Sequence, residues 1–175
     1  MCDLLAALVL VSPNLIDDIG NQIVDVKIKY KTIGHTTKSV DDFFGHLADI
    51  PVTLSHFPKL KPLVELDSQR YQWEFERMGI GGIHHDLLFA TEFSVDEGSG
   101  LIRFAALRGV GNATLSGLFT TTEDDKGTHC ALEVEGVLKG FKVPRLLHVP
   151  AKPVIRKQFD AMVSQFVTNV MTAYG

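Results

Sequence analysis

Two adjacent histidines and an aspartate, His84, His85 and Asp86, stand in the stretch GIHHDLLF. Imidazole and carboxylate are common metal ligands and proton carriers, so the trio raises two chemistries: a zinc or iron centre, and a proton relay. Both depend on the backbone that carries them. The run HHDLLFATEF reads as a strand, and adjacent strand residues point to opposite faces. His84 and Asp86 then share one side, and His85, Leu87 and Phe89 the other. The apolar company of His85 marks its side as the inner one. A metal would need ligands from other strands, and no HExxH motif or i, i+4 histidine pair supplies them. No metal and no cofactor is expected. His84 and Asp86 are read as solvated, and His85 as a polar residue of an inner wall.

The remaining reactive residues are weaker. Glu133 and Glu135 alternate with Leu132 and Val134 and so face outward, which disfavours a two-carboxylate acid–base site. Arg103, between Ile102 and Phe104, is outward if those two face in. Ser116 in TLSGLF lacks the GxSxG spacing of a nucleophile elbow. RGVGN contains GxG, but no helix follows to receive a phosphate, so it reads as a hairpin turn. Cys130 shares a face with Leu132 and Val134 as a small buried hydrophobe, and His129 faces outward. Lys139 and Lys142 flank Gly140 and either guard a mouth or sit in a solvated loop.

The elements that position these residues follow from periodicity. QIVDVKIKYK alternates apolar and polar as a half-buried strand. In SVDDFFGHLADIPVTLSHFP, Ser39 caps a helix whose apolar face is Val40, Phe43, Phe44 and Leu47, with Asp42 three residues on. Pro51 breaks that run, and a second short helix carries Leu54 and Phe57 up to Pro58. From Leu60 to about Leu138, short strands joined by glycine-rich turns form an antiparallel meander. In RYQWEFE, Tyr71, Trp73 and Phe75 point one way, either to stack on a ligand or to fill the core. Phe159, Val163 and Phe166 belong to one apolar stripe of a long C-terminal helix, with Pro150 and Pro153 at or before its first turn.

This order resembles the helix-grip fold of the START-like or Bet v 1-like (SRPBCC) superfamily. The superfamily includes polyketide cyclases and dehydratases, coenzyme-Q-binding proteins and lipid-transfer domains. SVDDFFGHLADIPVTLSHFP, RYQWEFERMGIGGI and GTHCALEVEGVL carry the resemblance, which runs from Gln22 to Tyr174. It implies an α+β domain over 22–175, with a curved antiparallel sheet of about seven strands around the C-terminal helix and two short helices after strand one. It also implies a cavity for a hydrophobic ligand between sheet and helix. The wall candidates are Tyr71, Trp73, Phe75, His85, Leu87, Phe89, Phe104, Phe159, Val163 and Phe166. The superfamily has no universal catalytic residues, so none is carried over.

Composition bounds the partners. The chain has 175 residues and a net charge of −4, which leaves no basic footprint for nucleic acid. Two cysteines without CxxC spacing fit a reducing compartment, and the cytoplasm is expected. The apolar run LLAALVLV lies in a short extension, residues 1–21. It is far short of the ~20 residues of a spanning helix, and is read as a capping helix or the contact of a homodimer. The expected function is binding or transport of a lipid, isoprenoid or polyketide-like molecule. The alternatives are a cyclase- or dehydratase-type enzyme and a cavity-free interaction module.

Overall fold

A computed structural model describes residues 20–80 and 83–175. The expected N-terminal helix, its dimer contact, the tip of the turn between the third and fourth strands and the side chain of His84 lie outside the described residues. Seven strands form one sheet: β1 (Asn21–Thr36), β2 (Val64–Asp67), β3 (Arg70–Ile80), β4 (Ile83–Asp96), β5 (Leu101–Ala106), β6 (Ala113–Asp124) and β7 (Gly127–Pro144). Their spatial order is β1-β7-β6-β5-β4-β3-β2, and every pair is antiparallel. Helices α1 (Val40–Leu47) and α2 (Ile50–Ser55) follow β1, and α3 (His148–Tyr174) closes the chain. This is the α+β helix-grip arrangement.

Local chemistry sets each boundary. The Ser39 hydroxyl accepts from the Asp42 amide and opens α1. Asp49 accepts from the Val52 amide and opens α2, with Pro51 in the first turn. Pro51 thus starts the second helix rather than merely ending the first. Phe57 falls beyond α2, in the turn that precedes β2, and not on the helix as expected. The sequence also suggests that α3 starts around Pro150 and Pro153, whereas it begins at His148 and holds Pro153 inside. Only the first turn lacks intrahelical N–H partners by construction, so Pro153 removes one bond that Pro150 does not. β1 is longer than QIVDVKIKYK and runs on through His35 to Thr36.

The sheet curls because its regular ladder is interrupted at chosen points. Register shifts occur between Val24 and Val26 in β1 and between Phe75 and Met78 in β3, and such bulges bend a strand. Gly136 in β7 holds φ at 156°, and a Cβ there would lie 1.9 Å from the Thr114 carbonyl oxygen. β5 has only six residues, so β4 outruns it. Asn112 fills the gap. Its Oδ1 accepts from the Leu88 amide at 2.8 Å, its Nδ2 donates to the Asp86 carbonyl at 2.8 Å, and its own amide donates to the Leu88 carbonyl. Its carbonyl accepts from the Lys139 amide. One residue from RGVGN therefore couples β4 to β7, and Gly111 lets the backbone come close, since a Cβ there would lie 1.8 Å from the Leu88 oxygen.

The core lies on the concave face. Val24, Val26 and Ile28 of β1, the aromatic row of β3 and β4, and alternate residues of β7 are buried against α3. From α3 come Ala151, Ile155, Phe159, Met162, Val163, Phe166, Val167 and Val170, at spacings that keep one stripe inward. The helix runs alongside β1. Tyr30 and Ser164 share a hydroxyl hydrogen bond at 2.5 Å, and Met171 lies over Gly34.

Two stability changes follow. Phe166 is fully buried and stacked on Phe57 at 3.8 Å, so Phe166→Ala is expected to cost about 3–5 kcal/mol in urea unfolding. Asn112→Ala strands the Leu88 amide and is expected to cost about 1–3 kcal/mol. A loss within about 0.5 kcal/mol in either case contradicts the assigned role.

Candidate functional site: the interior between sheet and helix

Where the concave face meets α3, the packing leaves a void of about 20 Å³ open to the centre of a water-sized sphere. That is room for about one water. Trp73, Phe75, Phe89, Phe104, Phe159 and Val163 line it, all wall candidates from the sequence. Phe57, Leu115, Phe119, Leu132, Val134 and Met162 complete the lining. None of these six was among the wall candidates from the sequence. Leu132, Val134 and Phe119 carried a usable signal in the alternation of their strands. Phe57 did not, because its position depends on a turn.

The aromatic side chains form one contiguous cluster. Phe57 lies flat on Phe166, with ring centroids 3.8 Å apart and planes within 4°, and meets Trp73 and Phe75 edge-on. Trp73 stacks with Phe89 at 5.3 Å and Phe93 at 6.0 Å. Its indole N–H donates to the Thr91 hydroxyl at 2.7 Å, so the polar handle is satisfied inside the wall. Every side chain that lines the void is apolar.

The other wall candidates lie elsewhere on the same face. Tyr71, Leu87 and Phe166 are buried in the core without bordering the void. Burial raises the Tyr71 phenol above its ordinary pKa, with Glu65 and Asp49 adding to the shift. His85 points to the concave side, as the alternation requires, but stands at the end of the sheet and is partly exposed. Its ring lies 4.5 Å from that of Phe141. Its Nε2 is 2.9 Å from Asn112 Nδ2 and 3.2 Å from the Lys139 carbonyl. The Asn112 amide is oriented by β4, so its second N–H is directed at Nε2, which favours the Nδ1–H tautomer. With Nε2 accepting from Asn112, the Lys139 carbonyl is a neighbour rather than a hydrogen-bond partner, and neither group is a proton carrier at neutral pH.

On the opposite face Arg103, Glu133 and Glu135 are exposed, as expected. They border a shallow groove with Lys29, Lys31 and Ser116. Lys31 pairs with Glu133 at 2.6 Å and holds its carboxyl below the ordinary range. The Ser116 hydroxyl accepts from the Ala106 amide and serves the sheet.

Solved structures share this architecture. A conserved protein of Geobacillus kaustophilus superposes with a TM-score of 0.57 at 14% identity, over 89% of this chain and 93% of that one. A START superfamily protein of Mycobacterium smegmatis gives 0.56 at 11% identity, over 89% and 97%. The fold is START-like. The Zhui aromatase/cyclase of a Streptomyces species also shares it, with a TM-score of 0.52 at 11% identity over 87% of this chain and 92% of that one. At these identities the likeness is one of fold. No protein-family model matches the chain, and no curated protein matches it in sequence.

Cys130 offers a probe of the interior. It is free and buried, and burial pushes its thiol from 9.0 up to about 12. The folded state therefore holds the neutral thiol while the unfolded chain ionises. The thiol's contribution is complete below pH 9 and is lost as pH rises toward 12. Urea unfolding of the protein and of Cys130→Ala should diverge by about 1.4 kcal/mol per pH unit in that window. A difference that stays constant with pH contradicts the buried, dry environment.

Proposed function

We propose that this domain binds a hydrophobic small molecule, a lipid, isoprenoid or polyketide-like compound, between the sheet and α3. The observation that supports the reading is the wholly apolar, aromatic-lined space at the centre of a START-like fold, closed on one side by a residue of no helix or strand. That residue is Phe57. Its turn is moored on both sides. The Phe57 amide donates to Leu54, Lys59 takes a left-handed φ of 62°, and Lys59 and Lys61 bond to the β3 backbone. The ring itself is only half-buried. Pockets for drug-sized ligands hold about 300–1,000 Å³, so a ligand takes the space by displacing Phe57 from Phe166 rather than by filling a ready cavity.

A reaction of the aromatase/cyclase kind would need a proton carrier facing the substrate. The lining has none, so binding is the reading adopted, with the cytoplasm as its proposed place. Among the described residues no helix is long and apolar enough to cross a membrane. The small size of the void favours one rival, a filled domain that acts as an interaction module.

Trp73 is the single tryptophan and separates the two. Titration with linear fatty acids should change its emission saturably. Affinity should rise about fourfold per added CH₂, from roughly 0.8 kcal/mol of burial each, until the interior is full. Phe57→Ala removes the displaced ring and should tighten binding of the longer chains. Absence of saturable binding at micromolar concentrations in both proteins favours the interaction module.

A further inference from the structure

The outer face of the sheet carries a second cluster, remote in orientation from the apolar interior. His35 of β1 and His129 of β7 are register partners, with ring centroids 4.8 Å apart. Asp124, at the end of β6, places Oδ2 2.6 Å from His129 Nε2. Its other oxygen accepts from the Lys126 amide at 2.7 Å in the hairpin turn, which fixes the carboxylate's direction. One ligand atom from each of the three residues lies within 4.8 Å of the others. We propose that His35, Asp124 and His129 form a binding site for a divalent transition-metal ion, with zinc as its representative.

The donor set decides the class of ion. Two imidazoles and one carboxylate suit zinc, nickel or copper(II), whereas calcium and magnesium prefer all-oxygen shells. Strand alternation turns Cys130 to the core, so no thiolate joins the set from that neighbour. Three protein ligands leave a fourth tetrahedral position for water. Ligand atoms about 2.0–2.1 Å from zinc stand roughly 3.3 Å apart. The Asp124–His129 contact must open by a fraction of an ångström, and His35 must close by up to about 1.5 Å. All three side chains are at least partly exposed, so they have room to rotate toward a shared ion. Asp124 is already held below the ordinary carboxyl range, first by its bond to His129.

Without a metal the same trio is an exposed Asp124–His129 hydrogen bond beside the tilted ring of His35. The two readings differ in what the full chain does when zinc is added. Tag-free protein should take up one equivalent in isothermal titration, with protons released and a higher melting temperature. Cobalt(II) in place of zinc should give the visible absorption of a tetrahedral N/O site. His35→Ala and His129→Ala should each weaken binding at least about tenfold, and Asp124→Asn should weaken it too. Circular dichroism checks that each variant folds. In the unaltered protein, copper(II) should broaden the imidazole resonances of His35 and His129 before those of His46, His56 or His85. Absence of saturable zinc binding at 100 µM metal, full binding in the double variant H35A/H129A, or broadening that starts at another histidine overturns the proposal.

Discussion

The stack of Phe57 on Phe166 is the contact on which the rest of the interior depends. It joins three parts that the chain order keeps apart: the turn after α2, the middle of α3 and, through Trp73 and Phe75, the third strand. A sheet of seven antiparallel strands has one concave face, and α3 is the element long enough to cover it. The helix seats only if the sheet bends, and the bend is built from bulges in β1 and β3, the glycine of β7 and the short β5. The shortness of β5 would leave part of the β4 backbone unpaired. Asn112 prevents that by acting as a piece of ladder made from a side chain. Curvature and hydrogen-bond satisfaction are thus solved together, in β4 by a side chain that does not line the void.

The two faces of the sheet carry different chemistry because alternation divides them. On β7, Cys130, Leu132 and Val134 enter the core, while His129, Glu133 and Glu135 face out. The inner face offers area and shape for apolar matter and, among the described residues, no acid or base at its centre. The outer face offers polar contacts, the Lys31–Glu133 ion pair and the Asp124–His129 hydrogen bond among them. Exposed pairs contribute at most about 1 kcal/mol each, so these contacts add little to stability.

Much of this was legible in the residues because period-two and helical patterns are properties of a segment alone. The inward row of Tyr71, Trp73 and Phe75, the Ser39 cap, the outward Glu133 and Glu135, and the stripe of α3 all follow from local spacing. Features set by distant contacts were not. Phe57 reads as a helical residue because Pro58 follows it, but Asp49 and Pro51 place the short helix so that it ends before it. β1 reads as ending near Lys31, since Gly34 and two threonines weaken the pattern, yet pairing with β7 carries it on to Thr36. For that reason His35 could not be seen opposite His129. His85 reads as inward from its neighbours, and it is partly exposed. Its position at the end of the sheet depends on how far β4 outruns β5, which no local pattern records.

The most direct test of the interior as a ligand site is where a bound chain lies. A ¹³C-labelled fatty acid, bound to protein with assigned side chains, gives intermolecular nuclear Overhauser effects to whatever surrounds it. The expected result is contacts to Trp73, Phe89 and Val163, together with loss of the contacts between Phe57 and Phe166. Contacts confined to the outer groove near Lys29 and Arg103, with the Phe57–Phe166 contacts intact, would contradict it.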